Sequence, residues 1–421
     1  MTAMHVLIVN NIYPPIMAGG AELIVAWLSE GLVARGHRVT VVSTCGPDME
    51  PHPIETRNGV TVIRFFPPNL YWNFDRQGQK PYRRMLWHLR DAWNGSSGRL
   101  LRAVLNEAPP DVMHTHLIDG FSAAIWRTAR RAGVPIVHTA HDYHLLCPRA
   151  FLLTKDWRIC RQPGVACQFY RAWHLRTTRY VDLFVSPSHF LLHQHKLAGL
   201  AARQCAVVRN GIPLPCGNIR LGRGRIRRFL LLTRLTVEKG VRVVLQAVAS
   251  LPRTLDFELA IAGRGPLEQE VRQAAAEDPR IQFVGYVTGD VKAALLEGAD
   301  CLLIPSLWYE NAPVAAIEAA AYGLAVAASR IGGLPELVDE GRSGLLFQPG
   351  DADGLAAIMS GLIGGNVTLP DIDTASGELT QKHSITRMVD AYLDCYEAVL
   401  SADRRSMHRR SCPSEEAEHA A

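Results

Sequence analysis

No stretch of this 421-residue chain stays apolar long enough to cross a bilayer. A spanning helix needs about 18 to 20 uncharged residues, and the longest candidate, Ala319 to Ser329, is closed at its ends by Glu318 and Arg330. The start, MTAMHVLIVNNIYPP, has no basic residue and an apolar run of strand length only, so it does not read as a secretory signal. Cysteine is sparse: nine in all, an odd number with no CxxC pair, which argues against a disulfide framework and for a reducing, cytoplasmic setting. An excess of one charge is also missing. The 45 basic against 40 acidic residues leave only +5; that is too little for a protein that coats nucleic acid, though enough for a local basic patch.

What is present suits two α/β domains, with 48% apolar residues to build their cores. Met4 to Asn10 is a continuous apolar run, as a parallel strand covered on both faces requires. Further strands are expected at His37 to Ser43, Val60 to Phe66, Val112 to Thr115, Val134 to Thr139 and Leu183 to Ser186. Helical patterns lie between most of them, which predicts a doubly wound parallel sheet. A linker rich in Pro, Gly and Arg then places the domain boundary near residue 217, giving domains 1–217 and 218–382. An amphipathic helix falls within 383–402, and the polar tail 403–421 reads as disordered.

Candidate site residues cluster where strands end. Gly19 and Gly20 open a helix and would let backbone N–H groups approach an anion; the pattern is not the GxGxxG of dinucleotide-binding oxidoreductases. Five histidines, His114, His116, His138, His141 and His144, gather at the ends of two strands. HxH on a strand puts two rings on one face, but no carboxylate or cysteine follows at an interval that would complete a metal shell. Arg234 and Lys239 sit at a helix start, where cations oppose the helix dipole unless an anion is bound. Gly263 and Gly265 of GRGP follow another strand. Glu310 falls in a loop after a strand and Glu318 in the helix beyond it, so both face the crevice in which such sheets bind ligands.

Three stretches have two readings each. Cys147, Cys160 and Cys167, with His174 near them, lie in an insertion long enough to be functional; they would bind zinc or be structural. Residues 70–102 interleave Trp72, Tyr82, Trp87 and Trp93 with arginines, which suits either an interfacial helix on an anionic membrane or a solvated helix with its tryptophans in the core. Asp351 and Asp353 form a DxD that opens a helix, and helix capping explains it without a metal.

Glu310, seven residues, Glu318, then GLAVAAS and GGLPELV resemble the donor-site signature of family 4 retaining glycosyltransferases. R-x4-K-G at Arg234 to Gly240, the GGAE at Gly19 to Glu22 and the NG at Asn210 and Gly211 match the same family over about residues 4 to 400. The resemblance implies the GT-B fold, two Rossmann-like domains facing across a cleft, with the C-terminal helix crossing back to the first. It implies that Glu318 holds the ribose of a nucleotide-sugar, either UDP- or GDP-linked, and that Glu310 lies near the transferred sugar. Arg234, Lys239, Gly19 and Gly20 would meet the donor diphosphate, with Gly263, Gly265, Asn311, Ala312 and Val314 also on the donor side. His141 corresponds to the acceptor-side histidine. ENAPV replaces the commoner EGFGL, and His144 stands where close relatives often have tryptophan.

The expected reaction is sugar transfer with retention to a saccharide or lipid-linked acceptor, for a cell-envelope or exopolysaccharide glycan. A diphosphate leaves readily, so the protein needs preorganised positive charge more than acid catalysis, and no catalytic metal or cofactor is expected. Alternatives are a nucleotide-sugar epimerase of the same fold, or a binding scaffold that has lost activity. A phosphorylase would need a pyridoxal phosphate lysine.

Overall fold

The computed structural model describes residues 2–49, 54–76, 78–214 and 225–411, with side chains to residue 402. Two parallel sheets organise them, one on either side of the linker. The first contains β1 (His5–Val9), β2 (Arg38–Thr44), β3 (Ile54–Arg57), β4 (Val60–Phe65), β5 (Val112–Thr115), β6 (Ile136–Thr139), β7 (Leu183–Ser186) and β8 (Gln204–Val207). Its order is β3-β4-β2-β1-β5-β6-β7-β8, and only β3 runs antiparallel to its neighbour. Between the strands lie α1 (Ala21–Ala34), α2 (Pro81–Ala92), α3 (Gly95–Glu107), α4 (Ala124–Arg131), α5 (Val165–Thr177) and α6 (His189–Leu197).

The second sheet has the order β11-β10-β9-β12-β13-β14, parallel throughout. Its strands are β9 (Arg228–Leu232), β10 (Glu258–Ala262), β11 (Ile281–Gly285), β12 (Cys301–Ile304), β13 (Ala325–Ser329) and β14 (Gly344–Phe347). Around it stand α7 (Val241–Ser250), α8 (Glu268–Glu277), α9 (Gly289–Gly298), α10 (Val314–Ala321), α11 (Ala352–Gly364) and α12 (Ile372–Lys382). Central strands are buried along their whole length, which explains their near-continuous apolar sequences.

α13 (Ile385–Ser411) returns to the first domain and packs on α1. A Cβ on Gly31 of α1 would lie 2.5 Å from Val389 Cγ2, so a bare backbone lets the helices meet. Tyr392 and Tyr396 of α13 reach beneath the first sheet's strand ends: Tyr396 Oη is 2.7 Å from His114 Nδ1, and Tyr392 Oη is 3.0 Å from Thr139 Oγ1. The helix continues past residue 402, where it was expected to end; residues 412–421 and the expected boundary at 217 lie outside the described residues.

Three strands had no place in the sequence reading, and one of them, β14, is an edge strand of the second sheet. β8 is an edge strand, while β3 hairpins onto β4 through Asn58-Gly59, both at positive φ (48° and 79°), the backbone of a tight two-residue turn. The tryptophans of 70–102 are used for packing. Trp87 is buried with Nε1 donating to Tyr71 O at 2.9 Å, Trp72 Nε1 donates to Thr44 Oγ1 at 2.9 Å, and Trp93 meets Trp173 edge-on at 5.9 Å. Of Trp72, Tyr82, Trp87 and Trp93 only Tyr82 is exposed, so the tryptophans themselves follow the packed reading.

Candidate functional site

β12 ends at Ile304, and the chain loops through Glu310 before Pro313 starts α10. Glu310 is only 4% exposed, yet its Oε1 accepts from Lys239 Nζ (2.7 Å), Ser306 Oγ (2.6 Å) and Trp308 Nε1 (2.8 Å). Burial opposes its charge, but Lys239 and these donors outweigh it and hold the carboxyl below the usual range. Lys239 also lies 4.9 Å from the Trp308 ring centroid. Two glycines make the arrangement possible. Gly240 (φ 71°) would place a Cβ 1.7 Å from Pro305 O, and Gly333 would place one 2.0 Å from Asn311 O, so any side chain would push the Lys239 turn or the GGLPE turn off the Glu310 loop.

Glu318 lies inside α10, and its Oε1 is 2.5 Å from Lys292 Nζ on α9. Sequence reasoning missed Lys292: a lone lysine in GDVKAALLEG reads as solvated helix surface. Arg234 follows β9 with a half-exposed guanidinium 3.5 Å from Glu238 Oε1. Gly263 and Gly265 pack the ends of β9 and β10 together, since a Cβ on either would lie 1.8 Å from Thr233 O or 2.4 Å from Leu235 O. Their demonstrated role is this close approach. Asp351 caps its helix, accepting from Gly354 N at 2.8 Å.

Across the cleft, Gly20 is the residue before α1, and a Cβ there would stand 3.1 Å from Val314 Cγ2. The N-termini of α1 and α10 thus meet where the domains face each other. Gly19 N already donates to Glu22 Oε2 at 2.9 Å. Burial raises the Glu22 carboxyl above its ordinary range, so the loop holds an internal acid where an outside anion was expected.

Asn311 Nδ2 donates to His141 O at 2.6 Å, and Asn210 Nδ2 to Ala312 O at 3.3 Å, tying the Glu310 loop to the first domain. Glu336, from GGLPE, accepts from the N–H groups of His189 and Phe190 (2.9 and 2.7 Å) at the start of α6 in the other domain. His141 Nε2 lies 2.9 Å from His116 Nδ1, and burial pushes His141 down to about 4, so it is neutral near pH 7. His116 Nε2 is buried without a partner. An unmet N–H is the costlier orphan, which favours the proton on His116 Nδ1, donated to His141, leaving the His141 proton on Nδ1.

His114 and His138 are not site residues: His114 bridges Tyr396 and Thr139, and His138 packs among Trp126 and Phe184. His144 instead joins an acidic group that the sequence did not reveal. Its Nδ1 is 3.0 Å from Asp142 Oδ1. Asp119 accepts from Asn11 (2.8 Å) and from Asn73, and Asp91 accepts from Gly120 N (2.9 Å). Burial, then Asp119, pushes Asp91 up to about 8; burial opposes the His144 charge, but Asp142, Asp119 and Asp91 raise its pKa overall. Cys147, Cys160 and Cys167 are free thiols, and among the described residues no three metal-ligating side chains converge.

Two family models match the chain: the glycosyl transferase 4-like domain over residues 19–211 and glycosyl transferases group 1 over residues 226–364. A glycogen synthase of Mycobacterium tuberculosis is 30% identical over 385 residues, 86% of each chain. The amylovoran biosynthesis glycosyltransferase AmsK of Erwinia amylovora is 35% identical over 198 residues, 44% of this chain and 49% of that one. The structure of Anabaena Alr3699/HepE in complex with UDP-glucose aligns with a TM-score of 0.66 at 17% identity, over 94% of this chain and 100% of that one. At that identity the likeness is one of fold.

Proposed function

The chain belongs to the group 1, family 4 glycosyltransferases of the GT-B fold, and from that premise we propose that it moves a sugar from a UDP- or GDP-sugar to a saccharide or lipid-linked acceptor in cell-envelope polysaccharide synthesis, with retention of configuration, in the cytoplasm. One observation carries the reading: Lys239 pairs with the buried Glu310 in the loop that leads into α10, whose first residue meets Gly20 before α1, and Arg234 lies five residues ahead of Lys239 after β9. Negative charge grows on a diphosphate as its bond to the sugar breaks. Lys239, held by Glu310, together with Arg234 and the N-terminus of α10 stabilises that charge.

Glu310, kept ionised by Lys239, orients the sugar by accepting from its hydroxyls. Glu318 accepts from the ribose hydroxyls, and Lys292 holds its carboxylate in position. Neutral His141 presents Nδ1–H toward the sugar, with Asn311 fixing its backbone. The acceptor lies in the first domain near Asp119, Asp142 and His144, whose oxygens and imidazole suit sugar hydroxyls. No metal takes part in this proposal, because Arg234, Lys239 and the α10 N-terminus supply the positive charge.

Purified protein incubated with a nucleotide-sugar panel and candidate acceptors, with products followed by NMR, tests the reading. The expected product carries the donor's anomeric configuration and forms at an unchanged rate in excess EDTA. An inverted product, or loss of turnover with EDTA that magnesium restores, would refute those parts. Conversion of the donor alone to an epimer would replace transfer by epimerisation.

A further inference from the structure

We propose that the outer faces of α2 and α5 together form a docking surface for an anionic lipid bilayer. The two helices have 12 and 13 residues, yet they carry seven of the seventeen large hydrophobic side chains exposed among the described residues. Such concentration marks a patch, since scattered apolar residues are ordinary on a surface. On α2 the residues are Tyr82, Met85, Leu86 and Leu89, spaced at helical period, with Leu89 64% exposed. On α5 they include Phe169, 73% exposed, and Trp173 one turn on. The stripes adjoin: Trp173 Nε1 donates to Ala92 O, at the end of α2, at 3.0 Å.

Charge selects the occupant. α2 carries Arg83, Arg84 and Arg90, and α5 carries Arg171 and Arg176. The one acid on either helix is Asp91, which faces inward and is pushed up to about 8 by burial and by Asp119. Arg83, Arg90 and Arg176 are exposed, and among the described residues none has a carboxylate partner. Apolar side chains flanked by unpaired arginines fit a surface with phosphate outside and hydrocarbon beneath. A second copy fits poorly, because a two-fold interface would set these arginines against themselves.

The same helices wall the acceptor side. Tyr170 Oη donates to His144 O at 2.8 Å, Arg171 Nε to Leu146 O at 3.2 Å, and Asp91 holds the Gly120 N–H. A bilayer on their outer faces would bring a lipid-linked head group to Asp119 and His144; that last step rests on the proposed transfer, whereas the docking itself does not.

Flotation of the full chain with vesicles of phosphatidylcholine alone, or with about 30% phosphatidylglycerol, tests the surface. The expected result is binding at least about tenfold stronger to the anionic vesicles, reduced several-fold on going from about 50 to about 500 mM salt. Met85→Ser/Leu89→Ser/Phe169→Ser should lower binding about tenfold or more, and Arg83→Ser/Arg90→Ser/Arg176→Ser should remove the preference for anionic lipid. All six side chains are exposed, so both variants keep the wild-type melting temperature and, if the donor reading is right, the same nucleotide-sugar shift. Wild-type protein that stays with the buffer, or variants that float like wild type, would overturn the proposal. So would a wild-type dimer that the apolar triple variant makes monomeric, since the face would then belong to a second copy.

Discussion

Lys239 and Glu310 are both sequestered, and removing either leaves the other's charge without its counter-ion. Lys239→Met should lower turnover by about 10²-fold or more, through lost stabilisation of the leaving diphosphate. It should also cost stability on the order of 3 kcal/mol, read from urea unfolding, because a buried carboxylate is stranded. The Glu310 pKa is depressed in the folded protein, so its contribution to stability is complete above the unfolded value of about 4.3 and is lost as pH falls through the lower folded value. In the variant that loss begins at higher pH, which melting curves between pH 3 and 7 would reveal. His116→Phe should behave differently. It removes one buried nitrogen without a partner but strands another, His141 Nε2, so stability stays within about 1 kcal/mol of wild type, while kcat falls about tenfold because the His141 ring and tautomer are no longer fixed. Equal activity in His116→Phe would remove His116 from the site.

At the scale of elements, the Glu336 cap on α6 and the packing of α13 on α1 join the domains, beside the side-chain bonds of Asn311 and Asn210. A helix N-cap is worth about 1 kcal/mol, so Glu336→Ala should leave each domain folded while loosening their closure. Small-angle scattering should show a larger radius of gyration, and the KM for donor should rise more than kcat falls; unchanged scattering and kinetics would show that the cap does not control closure. Element positions were legible wherever a strand was buried on both faces, as for β5, β7 and β12. They were illegible where a strand is short and at an edge. Asn58-Gly59 did carry the β3 hairpin signal, but IETR has no apolar alternation to support it. The orientation of α2 was also hidden, because its core contacts are made to loops: Trp87 to Tyr71, and Asp91 to Gly120.

Across the whole molecule, burial keeps many histidines neutral. His88, His141, His195 and His383 are pushed down to about 4 and His174 to about 3. Below the unfolded value of about 6.5 the unfolded chain binds protons that the folded chain does not, so stability is complete above that pH and declines toward 4. The melting temperature should drop on the order of 10 °C between pH 7 and pH 5; a flat profile would contradict the buried-neutral assignment. The candidate site was legible in the same uneven way. Glu310, Glu318, Arg234 and Lys239 stand in short motifs whose spacing carries their meaning. Lys292, Asp119 and the pairing of His116 with His141 depend on side chains brought together from separate strands and helices, which no local pattern records.

A thermal-shift titration against UDP- and GDP-sugars decides whether Lys239, Glu310 and Glu318 form a nucleotide-sugar site. Ligand at about 100 times its Kd adds about 2.7 kcal/mol to stability. One donor class should raise the melting temperature of the wild-type protein, and the shift should be lost in Glu318→Ala and sharply reduced in Lys239→Met. No shift with any donor, or a shift undiminished in both variants, would contradict that assignment.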